Sequence, residues 1–149
     1  MSILFINGSP NKNGNTTELA NTLMDGKDYR TLHLVDYKLY GYGQNFADDQ
    51  FAEILESMKE ADTIVIGSPV YWHSMCGLVR NLIDRFYGPV SEGELGGRKF
   101  VFLFQGAAPE KWMLEKAEYT LSRFARMYGM EYVGMGTNDA EAKKLSEKI

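Results

Sequence analysis

INGSPNKNGNTTELA, residues 6–20, carries an apolar strand into a helix through a small, polar loop whose one charge is Lys12. The first N–H groups of a helix have no partner within it, and the helix dipole adds roughly half a positive charge at that end. Such a junction is a natural anion site. Hydroxyls on Ser9, Thr16 and Thr17 and the Asn15 side chain add donors suited to a phosphate monoester, and Gly8 and Gly14 let the backbone come close. Gly14 is followed by Asn15-Thr16-Thr17 rather than Gly-Lys-Ser/Thr, so this is no Walker A loop, and the G-x-G-x-x-G fingerprint is missing too. Taken alone, the stretch reads equally well as a turn with Asn15 capping the helix.

Outward from this junction, apolar strand-like runs alternate with segments of helical period. Strands are expected at 2–7, 30–35, 63–67, 99–105 and 131–135, and helices at 16–24, 48–60, 74–86, 109–128 and 139–148. Five strand–helix repeats predict an α/β domain, a parallel sheet between two helical layers. In such open sheets ligands bind beyond the carboxyl ends of the strands. There the chain gathers residues 9–17, 68–73 and 105–108, which hold most of its polar and aromatic loop residues.

The second of these loops is GSPVYWHSMCG, residues 67–77. Tyr71, Trp72 and His73 in succession at a strand end are costly unless something covers them. A flat conjugated ligand would do so, with each aromatic contact adding roughly 0.5–1.5 kcal/mol beyond area burial. A phosphate site beside an aromatic slot points to flavin mononucleotide (FMN).

NGSPNKNGNT and GSPVYWHSMCGLVRNLIDRF together resemble the flavodoxin-like NAD(P)H-dependent FMN reductases. The resemblance implies a doubly wound five-stranded parallel sheet of order 2-1-3-4-5 with helices on both faces. It also implies that Ser9, Asn15, Thr16 and Thr17 hold the FMN phosphate, with Lys12 assisting it or a nicotinamide nucleotide. Pro69, Val70, Tyr71 and Trp72 would line the isoalloxazine, and Gln105, Gly106 and Ala107 would meet its polar edge. The iron–sulfur branch of that family carries a cysteine cluster between the second strand and the next helix. Residues 37–47 have no cysteine there, and a cluster needs several thiolates, so that branch is not expected.

Composition narrows the remainder. At 149 residues a single domain over 1–149 is the simplest reading. One cysteine excludes an internal disulfide, and a net charge of −4 without basic clustering offers no nucleic-acid footprint. No run suits a membrane span, so the cytoplasm is the expected compartment. Cys76 reads as a small buried hydrophobe, His33 as structural, and Arg80 and Arg85 either as exposed helix charges, the commoner case, or as contacts of an acidic nucleotide. His73 is either a proton donor near the ring or a plain loop residue. The expected function is hydride transfer from NAD(P)H through FMN to a quinone or other small electron acceptor, with no side-chain catalyst. A flavodoxin-type electron carrier and a flavin-free interaction module are the rival readings. The resemblance further implies a homodimer or homotetramer, in which Tyr40, Tyr42 and Phe46 either meet a neighbouring chain or fold back on their own.

Overall fold

The computed structural model describes residues 2–149. Five strands form one parallel sheet: β1 (Ile3–Asn7), β2 (Arg30–His33), β3 (Thr63–Tyr71), β5 (Lys99–Gln105) and β6 (Glu131–Gly136). Their spatial order is β2-β1-β3-β5-β6. This is the flavodoxin-like order expected from the sequence, its numbering shifted by one short extra strand. That strand, β4 (Ser74–Met75), pairs antiparallel with the end of β3.

Side-chain alternation along the strands builds two cores. Leu4, Ile6, Ile64, Ile66, Phe100, Phe102 and Phe104 face α2 (Phe51–Glu60), α3 (Gly77–Asp84) and α4 (Lys111–Met127). Ile3, Phe5, Val65, Val101 and Leu103 face α1 (Asn15–Leu23) and α5 (Asp139–Ser146). Both faces of the central strands are therefore apolar, which is why they read as continuous hydrophobic runs. On the first side Phe86 is the hub, with ring contacts to Phe51, Phe124 and Tyr128.

Several boundaries differ from expectation, each for a local reason. The first helix begins at Asn15, and Gly14 occupies the cap position with no side-chain bond, so Asn15 is not the cap. The second strand stops at His33, where Leu34–Asp36 turn into a 3₁₀ helix. α2 begins at Phe51 instead of residue 48, because Asp49 accepts the Phe51 N–H at 3.1 Å and ends the irregular segment before it. β3 runs to Tyr71, well past residue 67, so what read as a loop is a strand and a tight hairpin. Ser74 and Met75 belong to that hairpin, which delays α3 to Gly77.

Register makes the consequence plain. Gly67 pairs with Asn7, the last residue of β1, and Pro69 pairs with Gln105, the last of β5. At about 3.3 Å per residue, Tyr71 stands roughly 13 Å beyond the end of β1. The hairpin rises between the loop after β1 and the loop after β5.

Candidate functional site

Asn7, fully buried at the end of β1, organises the first loop. Its Oδ1 accepts the Ser9 N–H at 3.0 Å, which makes Nδ2 the donor side. Nδ2 lies 3.1 Å from His33 Nδ1 and also reaches Asn11 O at 3.4 Å and Thr17 Oγ1 at 3.5 Å. His33 is thus structural, its Nδ1 accepting. Ser9 Oγ accepts the Asn11 N–H at 3.1 Å, and the Thr17 hydroxyl donates to Lys12 O at 2.7 Å. The loop is held from within by short side chains bonding their own backbone.

The donors left over lie at the start of α1. Among the described residues, nothing accepts from the N–H groups of Asn15, Thr16 and Thr17, and α1 has no side-chain cap. Thr16 is 2% exposed, and its hydroxyl has no partner in the chain either. Helix-start donors that the chain itself does not match are met by solvent or by a ligand. An anion with several acceptor oxygens fits them, and a phosphate monoester is such an anion. Ser9 is buried beside them, and Asn15 is the exposed member. Lys12 is drawn elsewhere: its ammonium lies 2.7 Å from Asp36 in a half-exposed pair.

The hairpin forms the next wall. Val70 pairs with Met75 and Tyr71 with Ser74, leaving Trp72 and His73 as a two-residue turn with φ of 48° and 66°. Both are in the left-handed region, which such turns usually fill with Asn and Gly. Strain of this sort persists where surroundings enforce it and gathers at functional sites. The base is pinned by Ser68, whose Oγ accepts the Cys76 N–H at 2.9 Å and donates to Pro69 O at 2.8 Å. Cys76 is buried as expected, and it also donates from Sγ to Gly8 O at 3.2 Å, tying the hairpin to the first loop. A Cβ at Gly8 would run into Val79 and lie 2.8 Å from Gly67 O, so only glycine lets the two strand ends close up.

Across from the hairpin, residues 106–110 and Met113 complete a cleft of about 400 Å³ with Val70, Trp72 and His73. Trp72 is 94% exposed at its edge. His73 sits edge-on to Trp112 with ring centroids 6.0 Å apart, and Trp112 Nε1 donates to Glu110 at 2.7 Å. Val70, Trp72, Gly106 and Ala107 therefore share one cleft. Pro69 is buried beneath it in register with Gln105, and Tyr71 is half-exposed on the strand. Asn7, Ser68, Glu110 and Trp112 were not foreseen; of their contacts, Asn7 with His33 and Trp112 with His73 join residues distant in sequence, and the others depend on the exact path of the loops.

Arg85 departs from the exposed helix charge it resembled. Only 15% exposed, it forms a two-pronged pair with Asp49 at 2.7 and 2.8 Å and donates to Tyr40 O at 3.0 Å. This pins the segment before α2, and the guanidinium holds the Asp49 carboxyl down to about 2. Tyr40 folds back onto Phe46, ring centroids 4.6 Å apart, while Tyr42 and Phe46 remain largely exposed.

Comparison with known proteins bears on family and fold. An iron–sulfur flavoprotein of Archaeoglobus fulgidus is 39% identical over 98 residues, covering 57% of this chain and 48% of that protein. The chain spans about half the length of the curated relatives it matches. Kinship to that branch is thus closer than the missing cysteines suggested, yet Cys76 is the one thiol among these 149 residues. Among solved structures, the Trp repressor binding protein from Bacillus subtilis superposes with a TM-score of 0.75 at 19% identity, covering 96% of this chain and 98% of that one. A flavodoxin from Streptococcus pneumonia TIGR4 does so with 0.68 at 12% identity, covering 99% and 96%. Both likenesses are of fold. Residues 1–142 match the model of the NADPH-dependent FMN reductases, and the chain belongs to that family.

Proposed function

We propose that the chain binds FMN at the carboxyl ends of β1, β3 and β5 and, so loaded, passes reducing equivalents from NAD(P)H to a small acceptor such as a quinone. One observation carries the reading: the unmatched N–H groups of Asn15, Thr16 and Thr17, with the free hydroxyl of buried Thr16. They are donors waiting for a phosphate. Ser9 and Asn15 add side-chain donors, and Lys12 reaches the same anion only by leaving Asp36, an exposed pair worth little.

The redox chemistry, hydride uptake from the nicotinamide and delivery to the acceptor, is what FMN supplies when bound. The chain's own residues bind and orient. Pro69, Val70, Tyr71 and Trp72 present the ring's slot, and Gln105, Gly106 and Ala107 supply backbone groups at its edge. A Cβ at Gly106 would come within 2.9 Å of Val70 Cβ, so this glycine keeps the slot open. The cleft beside the slot is open and bounded by Trp72, His73 and Met113, which suits an exchanging flat substrate better than a carrier's shielded cofactor. Tyr42, 64% exposed, and Phe46, 50% exposed, are the proposed contacts of a homodimer or homotetramer, which gel filtration with and without FMN would detect.

Purified protein supplied with FMN and NADH or NADPH should reduce a quinone faster than free FMN does. Turnover no greater than that of free FMN would refute the enzymatic reading. No described helix is long and apolar enough to cross a membrane.

A further inference from the structure

Between α3 and α4 lies a second cavity, of about 360 Å³, which the proposed cofactor site does not use. Its volume falls in the range of small-molecule pockets. Tyr128 lines it while being only 7% exposed, its ring 4.9 Å from that of Phe86 and 5.2 Å from that of Phe124. Among the described residues, no group shares a hydrogen bond with the Tyr128 hydroxyl. Burial, with Tyr87 and Glu92 nearby, pushes its pKa up, so it stays a protonated donor.

The rest of the lining specifies what that donor should meet. Tyr87 and Tyr119 are each 65% exposed and Met127 is 50% exposed, so large apolar side chains crowd one surface recess. Arg80 is neutralised by Asp84, 3.0 Å away one turn further along α3. Arg123 has no carboxylate within ion-pair distance among the described residues, and its guanidinium lies over the Tyr119 ring at 5.6 Å. The recess thus combines aromatic walls, one uncompensated cation and one unmatched phenolic O–H.

We infer that this cavity is a binding site for a small planar aromatic carboxylate, its ring against Tyr119 and Met127 and its carboxylate accepting from Tyr128 Oη and Arg123. Charge complementarity favours such a ligand over an apolar one, and a recessed donor favours it over a flat protein surface. The inference stands apart from the FMN reading, since the two sites share no residue.

Calorimetric titration of 2-naphthoate into the full chain, with and without saturating FMN, tests it. One site per chain is expected, with the same affinity in both states. Tyr128→Phe and Arg123→Gln should each weaken binding about tenfold, the worth of one charge-assisted hydrogen bond, and neutral 2-naphthamide should bind correspondingly worse. Thermal melting of both variants confirms that they fold. Absence of binding, binding only when FMN is absent, or binding indifferent to both substitutions would overturn the inference. So would gel filtration showing that Arg123→Gln separates two copies, since the recess would then be an interface.

Discussion

Replacing Trp72-His73 by Asn-Gly should make the protein more stable and its hold on FMN weaker. Both residues sit at positive φ, 48° and 66°, and each such non-glycine residue costs about 1 kcal/mol. Asn-Gly is the pair this turn ordinarily takes. Glycine returns part of the gain by loosening the unfolded chain, about 0.5–1 kcal/mol. Trp72 is 94% exposed, so removing it gives up almost no buried area. The net is about 1 kcal/mol, which for a domain of this size raises Tm by roughly 2–4 °C. Loss of the indole removes an aromatic contact worth about 0.5–1.5 kcal/mol, so FMN should bind roughly two- to tenfold more weakly. Differential scanning calorimetry of the apoprotein and quenching of FMN fluorescence read the two effects separately. A lower Tm with unchanged FMN affinity would refute the reasoning, because the turn would then be neither strained nor in contact with the ring.

Arg85→Ala should cost about 2–3 kcal/mol in urea unfolding, since it strands a largely buried carboxylate and frees the backbone at Tyr40. Asp49 is held at about 2 against an ordinary 3.8, so its contribution is present above about pH 4 and is lost as pH falls towards 2. That difference is worth at most about 2.5 kcal/mol, of which roughly 1 kcal/mol is lost between pH 5 and pH 3, so the loss of stability over that interval should shrink by roughly 1 kcal/mol in the variant. Asn7→Ala leaves the Ser9 N–H and His33 unmatched, so urea unfolding should show a loss of about 2 kcal/mol, and FMN affinity should fall about tenfold or more. Gly106→Ala presses a methyl group against Val70 and should weaken FMN binding several-fold, with about 1 kcal/mol or less of stability lost; equilibrium titration checks it.

The parallel sheet was legible because central strands covered on both faces must be apolar throughout, as Ile64–Ile66 and Phe100–Phe104 are, whereas the strand order came only with the family resemblance. The first loop was legible because an unmatched helix start needs small residues and donors, and Ser9, Thr16 and Thr17 are grouped there. The hairpin was not: a type of turn that asks for Asn-Gly is here made of Trp72 and His73, so propensity pointed to an irregular loop. Arg85 was misread because its partner Asp49 lies 36 residues away across an irregular segment, and no local spacing signals that pair. Ser68 and Asn7 were passed over because each works by bonding backbone a few residues further on, which depends on the exact path of the loop after its strand.

The central claim is that the loop after β1 grips a phosphate. Comparing the affinities of FMN and riboflavin, which differ only in that group, tests it most directly, with Thr16→Ala as the companion variant. FMN should bind at least about a hundredfold more tightly, the worth of two or so charge-assisted hydrogen bonds, and Thr16→Ala should erase about a tenfold part of that preference while leaving riboflavin binding unchanged. Equal affinity for the two flavins, or a preference that Thr16→Ala does not touch, would contradict the account.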